Sequence, residues 1–170
     1  MDNTNNPIHP QTFIGHVHLK VSDIERSVRF YTEAFGFQVM QRWANSAAFL
    51  SAGGYHHHIG LNTWESRGAP SPPPRTTGLY HFAILYPNRL ELARALRRLV
   101  DYGVEIDGAA DHGVSEAIYL RDPDNNGIEI YRDRDPSEWP REGDGVGMFN
   151  APLDLVELLS ELDREGHEPG

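Results

Sequence analysis

The chain contains no cysteine, and no apolar run approaches the length of a membrane span or a signal-peptide core. The lack of cysteine excludes disulfides, thiolate metal sites and a thiol nucleophile. Basic residues are scarce, with 15 Lys and Arg against 25 Asp and Glu, and the formal net charge is −10. A surface of that sign repels nucleic acids and anionic membranes, so neither is an expected partner. The expected location is the cytoplasm.

The chain has 170 residues, which is long enough for one globular domain with a hydrophobic core. Its residues are 39% hydrophobic and 24% charged, which is ordinary for a globular protein. Proline is concentrated in 67–77, where it blocks helix and sheet and predicts a linker. Residues 1–12 are polar and predict an N-terminal arm. The charged extension 134–170 contains leucines at helical spacing in 154–163, which predicts a short amphipathic helix covering apolar surface of this chain or of a partner.

The two segments that flank the linker, 13–66 and 78–133, repeat one pattern of a strand, a helix and three strands. Ser22 is the expected N-cap of the first helix and Asn88 that of the second. Superimposing the segments places the first strands on each other and the last strands on each other, as expected for an internal duplication. The sequence therefore predicts an α+β fold in which two βαβββ modules close a cup of strands, followed by a short helical tail.

Three polar residues occupy corresponding strand positions in the duplicated modules. His16 opens the first strand of the first module, His81 opens that of the second, and Glu129 lies in the last strand. A single strand histidine is more often a satisfied polar group than a ligand. Two imidazoles and one carboxylate in matching positions instead favour a facial triad, which binds a divalent metal and leaves coordination positions open.

Further candidates for chemistry surround this triad. The superposition places His58 opposite Glu129, and histidine exchanges protons near neutral pH, which suits an acid–base role. Strand alternation puts His57 on the other side, in a structural role. Tyr119 lies ten residues before Glu129 across a turn, so a hairpin places both on one sheet face. His112 is a candidate donor near Tyr119.

The motifs that carry these residues resemble those of the vicinal oxygen chelate superfamily, which includes glyoxalases, bleomycin resistance proteins and dioxygenases. One is His-x-x-Leu-x-Val-x-Asp-x-x-x-Ser-x-x-Phe-Tyr from His16 to Tyr31. The other is Asp-Pro-Asp-Asn-Asn-Gly-Ile-Glu, which ends at Glu129. The resemblance covers about residues 13–133, and its motifs are specific to the superfamily rather than to one reaction.

Within this superfamily the chain most resembles extradiol ring-cleaving dioxygenases of the catechol 2,3-dioxygenase type. The resemblance implies Fe(II) bound by His16, His81 and Glu129, with His58 as acid–base and with Tyr119 and His112 as hydrogen-bonding groups. It also implies a small aromatic substrate and O2 as partners, and it leaves a homodimer open.

Other reactions of the superfamily remain alternatives. Glyoxalase I enzymes use four protein ligands, with a glutamate where this chain has His58, which argues against an isomerase. A metal-dependent transferase or lyase that acts on a small electrophile with Mn(II), Ni(II) or Zn(II) remains a rival, because thiol transferases of fosfomycin resistance keep the two histidines and the glutamate. A metal-free small-molecule-binding protein is the third alternative, although bleomycin-binding relatives lack the ligands present here.

Overall fold

A computed structural model describes residues 7–165, and the outer parts of the expected N-terminal arm and C-terminal extension lie outside them. The first half of the fold consists of β1 (Val17–Lys20), α1 (Ile24–Arg29) continued by a π-helical turn (Phe30–Phe35), β2 (Gln38–Trp43), β3 (Ala47–Ser51) and β4 (Ile59–Asn62). The second half consists of β5 (Phe82–Leu85), α2 (Arg89–Tyr102), β6 (Ile106–Asp111), β7 (Ser115–Arg121) and β8 (Gly127–Asp133). The repeated βαβββ order confirms the predicted fold class.

The C-terminal extension adds small elements after the second module. They are a 3₁₀ turn (Pro136–Glu138), β9 (Arg141–Glu142), β10 (Gly145–Val146), β11 (Ala151–Pro152), α3 (Leu155–Leu159) and α4 (Glu161–Glu165). In the chain between residues 7 and 165, no helix is long and apolar enough to cross a membrane.

The helix boundaries follow local hydrogen bonding. Asp23, not Ser22, caps α1, because its carboxylate accepts the amide N–H groups of Glu25 and Arg26 at 2.9 and 3.1 Å. The predicted cap was therefore wrong by one residue, and the Ser22 hydroxyl bonds elsewhere. The predicted cap of α2 is confirmed, since the Asn88 side chain accepts the N–H of Glu91 at 2.9 Å.

The strands form two main sheets of the same topology. The first has the order β1-β4-β3-β2, and the second has the order β5-β8-β7-β6 with β11 added beyond β6. In each, the first strand of the module pairs in parallel with the last. Across residues 7–165, no strand of one sheet pairs with a strand of the other, so β1 and β5 are both edge strands.

One hydrophobic core joins the two modules. It lies between the helices and one face of each sheet, where alternate strand residues such as Leu61 and Ile130 are fully buried. The opposite face of each sheet therefore points away from the core. The extension packs on the same core, because Leu158 of α3 is fully buried and both α3 and α4 lie against α2. The amphipathic segment thus covers surface of its own chain, although as two short helices rather than one.

Polar contacts also lock the modules together on the core side. The Tyr31 hydroxyl donates to the Asp122 carboxylate at 3.0 Å, and both side chains are buried. The guanidinium of Arg26 and the hydroxyl of Ser22 each donate to the Asp124 carboxylate at 2.6 Å. Because these bonds join the first helix to the turn before β8, they fix the relative position of the two halves.

Candidate metal and catalytic site

A histidine and a carboxylate meet at the exposed edge of the second sheet. Nε2 of His81 lies 2.8 Å from Oε2 of Glu129, and the two side chains are 30% and 14% exposed. β5 and β8 are parallel and adjacent, which places the start of one beside the middle of the other. Gly127 permits this approach, because a Cβ there would stand 2.1 Å from the carbonyl oxygen of Tyr80.

A tyrosine and a histidine lie beside this pair on the same sheet. Tyr119 is directly opposite Glu129 in the antiparallel β7/β8 register, as the hairpin spacing predicted. Its ring centroid lies 5.7 Å from that of His81, and its hydroxyl lies 2.7 Å from Nε2 of His112. Four of the candidate residues therefore form one group on the second module.

The hydrogen bonds of His112 define which atoms carry protons. Nδ1 lies 3.1 Å from the carbonyl oxygen of Phe149, which only accepts, so Nδ1 is the protonated nitrogen. In the neutral imidazole Nε2 is then an acceptor, and the Tyr119 hydroxyl donates to it. Burial first, and then the negative charge of Glu129, raise the pKa of Tyr119, which keeps the phenol protonated at neutral pH.

A second group of histidines lies on the first sheet. The ring centroid of His16 is 4.4 Å from that of His57, which in turn is 5.1 Å from that of Phe49. Burial first, and then His16, lower the pKa of His57 and also that of His18. The ring of His18 lies against Gly60, where a Cβ would approach it to 2.9 Å. Neutral imidazoles suit both metal binding and proton acceptance.

The positions of His57 and His58 differ from what strand alternation predicted. His57 was expected to point away from His16, yet its ring is the one in contact with His16. Nδ1 of His58 instead lies 3.1 Å from the hydroxyl of Ser51 and 3.3 Å from the amide nitrogen of Ala52. The reason is local, because β4 begins only at Ile59 and the preceding histidines belong to a loop, where a period of two does not apply.

The two groups remain separate in a single chain. Among residues 7–165, no three His, Cys, Asp or Glu side chains come close enough together to hold a metal ion. His81 and Glu129 are together on the second sheet, whereas His16 is next to β1 on the first. A cleft of about 660 Å³ lies elsewhere, at the start of α1, and none of these histidines lines it.

Comparison with known proteins relates the chain to one family. Residues 13–130 match the model of the glyoxalase/bleomycin resistance protein/dioxygenase superfamily. The chain is 45% identical over 160 residues to a catechol-2,3-dioxygenase of Bacillus subtilis, which covers 93% of this chain and 55% of that protein. It is 31% identical over 121 residues to biphenyl-2,3-diol 1,2-dioxygenase 3 of Rhodococcus globerulus, which covers 71% of this chain and 63% of that protein.

A solved structure supports the same relationship at the level of the fold. A glyoxalase/bleomycin resistance protein/dioxygenase domain from Frankia superimposes with a TM-score of 0.60 at 24% identity, over 72% of this chain and 98% of that domain. The chain spans 55% and 63% of the lengths of the two dioxygenases. The duplicated βαβββ modules and the family match over most of the chain lead to one conclusion: this protein belongs to the glyoxalase/bleomycin resistance/dioxygenase superfamily.

Proposed function

We propose that the protein is an Fe(II)-dependent extradiol dioxygenase that cleaves the ring of a catechol-type aromatic. The observation that carries the proposal is the pairing of His81 with Glu129 beside the hydrogen-bonded Tyr119 and His112 on one sheet face. The 45% identity to a catechol-2,3-dioxygenase over 93% of the chain supports this reaction rather than another of the superfamily.

The donor atoms fit a divalent metal. Nε2 of His81 and Oε2 of Glu129 converge to 2.8 Å, a separation at which both can share one cation. His16 is the third ligand that the sequence motif implies, but in a single chain it lies on the other sheet, so His81 and Glu129 are the two candidate ligands that stand together. Imidazole and carboxylate donors suit Fe(II). Held by these residues, Fe(II) would supply the Lewis-acid and redox chemistry that the reaction of a catechol with O2 needs.

Proton transfer is assigned to His58. The amide N–H of Ala52 can only donate, and it reaches Nδ1 of His58 at 3.3 Å, so Nδ1 is an acceptor. The Ser51 hydroxyl lies 3.1 Å from the same nitrogen and can donate to it as well. We therefore place the proton of the neutral imidazole on Nε2, which can deliver it to an oxygen of the reacting partners and afterwards take one back.

Tyr119 and His112 are assigned to charge stabilisation. The carbonyl of Phe149 holds His112 in one tautomer, and His112 in turn orients the phenol of Tyr119. The phenol opposite Glu129 has one proton, which it can turn from Nε2 of His112 to an oxygen of the reacting partners as negative charge develops there.

The test is oxygen consumption by protein loaded anaerobically with Fe(II), on addition of catechol or 2,3-dihydroxybiphenyl. Extradiol cleavage predicts uptake of O2 with the appearance of a yellow ring-opened product. Loading with Mn(II), Ni(II) or Zn(II) and measuring thiol consumption tests the transferase alternative. Iron-loaded protein that consumes no O2 with either catechol, but consumes thiol with an electrophile, would refute the proposal.

His58 and His57 offer a matched pair for the proton-transfer assignment. His58→Gln should keep its iron and lose about a hundredfold or more of the turnover, a typical contribution of acid–base catalysis. His57→Gln removes a neighbouring imidazole without touching the Ser51 bond and should retain much more activity. Equal losses in both variants, with full iron content, would remove the special role of His58.

A further inference from the structure

The C-terminal extension reaches back to the candidate site. The match to the superfamily model ends at residue 130, and the chain after β8 returns to the second sheet as β11, which pairs antiparallel with β6. In that pairing Ala151 lies opposite Asp111, the residue before His112. Residues 139–152, which we call the strap, therefore run beside the loop that carries one of the proposed site residues.

Two hydrogen bonds join the strap to His112 itself. The amide N–H of Phe149 donates to the carbonyl oxygen of His112 at 3.2 Å, and the carbonyl oxygen of Phe149 lies 3.1 Å from Nδ1 of the imidazole. The first bond holds the two main chains together. The second orients the ring and determines which of its nitrogens carries the proton. One residue of the strap thus holds both the backbone and the side chain of His112.

The fit of the strap depends on a glycine next to His112. Gly113 has a φ of +76°, and a Cβ built on it would stand 2.5 Å from a ring carbon of Phe149 and 2.8 Å from Cγ of Pro140. The ring of Phe149 therefore packs directly on the main chain of Gly113, an approach that a residue with a side chain would block. Glycine at this position serves the contact with the strap as well as the backbone conformation.

An arginine ties the strap to the loop at a second place. The Asp111 carboxylate accepts the N–H of Gly113 at 2.8 Å and the guanidinium of Arg134 at 2.7 Å. The carbonyl oxygen of Arg134 in turn accepts the indole N–H of Trp139, the first residue of the strap, at 2.9 Å. Because Arg134 bonds to the loop through its side chain and to the strap through its main chain, it keeps the two segments together.

We propose that the strap positions His112 through Phe149, and that His112 in turn positions Tyr119. The hydroxyl of Tyr119 lies 2.7 Å from Nε2 of His112, so the tautomer that the strap selects makes Nε2 the acceptor for the phenol proton. Displacing the strap frees the imidazole to turn and to change tautomer, and the phenol loses its fixed partner. This inference rests on the proposed function, and it adds that residues after the two modules determine the geometry of the site.

The test is the tautomer of His112 in metal-free protein, read from long-range proton–nitrogen NMR correlations of the imidazole and assigned by comparison with His112→Gln. At pH about 8, where an ordinary histidine is neutral, the wild type should carry the proton on Nδ1. Gly113→Ala should displace the ring of Phe149 and populate both tautomers. Gly103→Ala is the matched control: Gly103 has a φ of +85°, and apart from its chain neighbours no atom of residues 7–165 lies within 4 Å of a Cβ placed there.

A second pair of variants keeps the test decisive where Gly113→Ala does not fold. Phe149 is 49% exposed, so Phe149→Ala should stay folded while it removes the ring that packs on Gly113. It should also populate both tautomers, whereas Val156→Ala, in the same extension but after the strap, should not. A single Nδ1–H tautomer in folded Gly113→Ala, or in Phe149→Ala where only that variant folds, would overturn the proposal.

Turnover of the iron-loaded variants measures the consequence for the reaction. In Gly113→Ala and Phe149→Ala, kcat should fall on the order of tenfold to a hundredfold, as for a misplaced catalytic group, with the KM for catechol and the iron content nearly unchanged. Both controls should keep the wild-type kcat. An unchanged kcat in a variant whose tautomer has changed would overturn the positioning role. A wild type that consumes no O2 would instead refute the proposed function, and the tautomers would still decide whether the strap positions His112.

Discussion

Asp122→Ala should destabilise the fold strongly, because this buried carboxylate collects hydrogen bonds from both modules. It accepts the amide N–H groups of Asp124 and Asn126 at 2.9 and 2.8 Å and the side-chain amide of Asn126 at 2.8 Å. It also accepts the hydroxyl of Tyr31, which is fully buried, at 3.0 Å. Asp122 itself is 5% exposed, so water does not readily replace it.

The expected loss of unfolding free energy follows from the hydrogen-bond donors that Asp122→Ala would leave unpaired. The Tyr31 hydroxyl and the Asp124 amide are buried, and each unpaired buried donor costs about 1–3 kcal/mol. The donors of Asn126 are only partly buried and can turn to water. We therefore expect a loss of about 2–6 kcal/mol, a large part of the about 5–15 kcal/mol typical of a domain.

The assay is denaturant unfolding, monitored by circular dichroism at one fixed protein concentration because association would add to the apparent stability. The control is Asp107→Ala, whose carboxylate is 41% exposed and pairs with Arg121. An exposed ion pair contributes about 0–1 kcal/mol, so the control should be nearly neutral. A loss below about 1 kcal/mol for Asp122→Ala would refute the assigned role of this carboxylate.

The same contact allows a double-mutant cycle. Tyr31→Phe removes one donor and keeps the ring, so it should cost about 0.5–1.5 kcal/mol in the wild type. In the Asp122→Ala background the Tyr31 hydroxyl has already lost its acceptor, so removing that hydroxyl breaks no further bond. The loss of unfolding free energy caused by Tyr31→Phe should then fall to near zero or become a gain. Additive losses would mean that the two side chains are not coupled across the modules.

Three further perturbations test other parts of the structure. Leu158→Ala should cost about 2–5 kcal/mol of unfolding free energy, because the side chain is fully buried against α2, whereas exposed Val156→Ala should be nearly neutral in the same titration. Asn88→Ala should cost about 1 kcal/mol through loss of the α2 cap, and Asn88→Asp should restore most of it. His81→Ala should abolish Fe(II) binding in equilibrium dialysis while circular dichroism stays unchanged, and stoichiometric iron in the folded variant would remove His81 from the proposed ligands.

Much of the second module could be predicted from the sequence. The turn before Glu129 and the alternation of β7 and β8 place Tyr119 and Glu129 on one face, and the register confirms it. Each of these placements depends on residues that are close in sequence, where hydrogen-bonding patterns and strand period determine the geometry. The cap at Asn88 follows from equally local chemistry.

Local sequence patterns gave wrong predictions for the cap of α1 and for the orientations of two histidines. Ser22 and Asp23 are both good helix caps, and the choice depends on Asp124, a residue far along the chain that accepts the Ser22 hydroxyl. His57 and His58 lie before β4, which begins only at Ile59, so strand alternation does not apply to them. Their orientations are set by contacts with His16 and Ser51, which the sequence does not place beside them.

The sequence by itself determined the duplicated modules, the family and the types of side chain available for a metal site. Only the tertiary structure decided that His16 lies on one sheet, apart from His81 and Glu129 on the other. The reason is that strand period and duplication determine the structure inside each module. They do not determine whether the modules pack through the helix-covered faces of their sheets or through the opposite faces. Burial of Tyr31 and Asp122 between the modules makes that choice, and such a long-range contact leaves no periodic signal in the sequence.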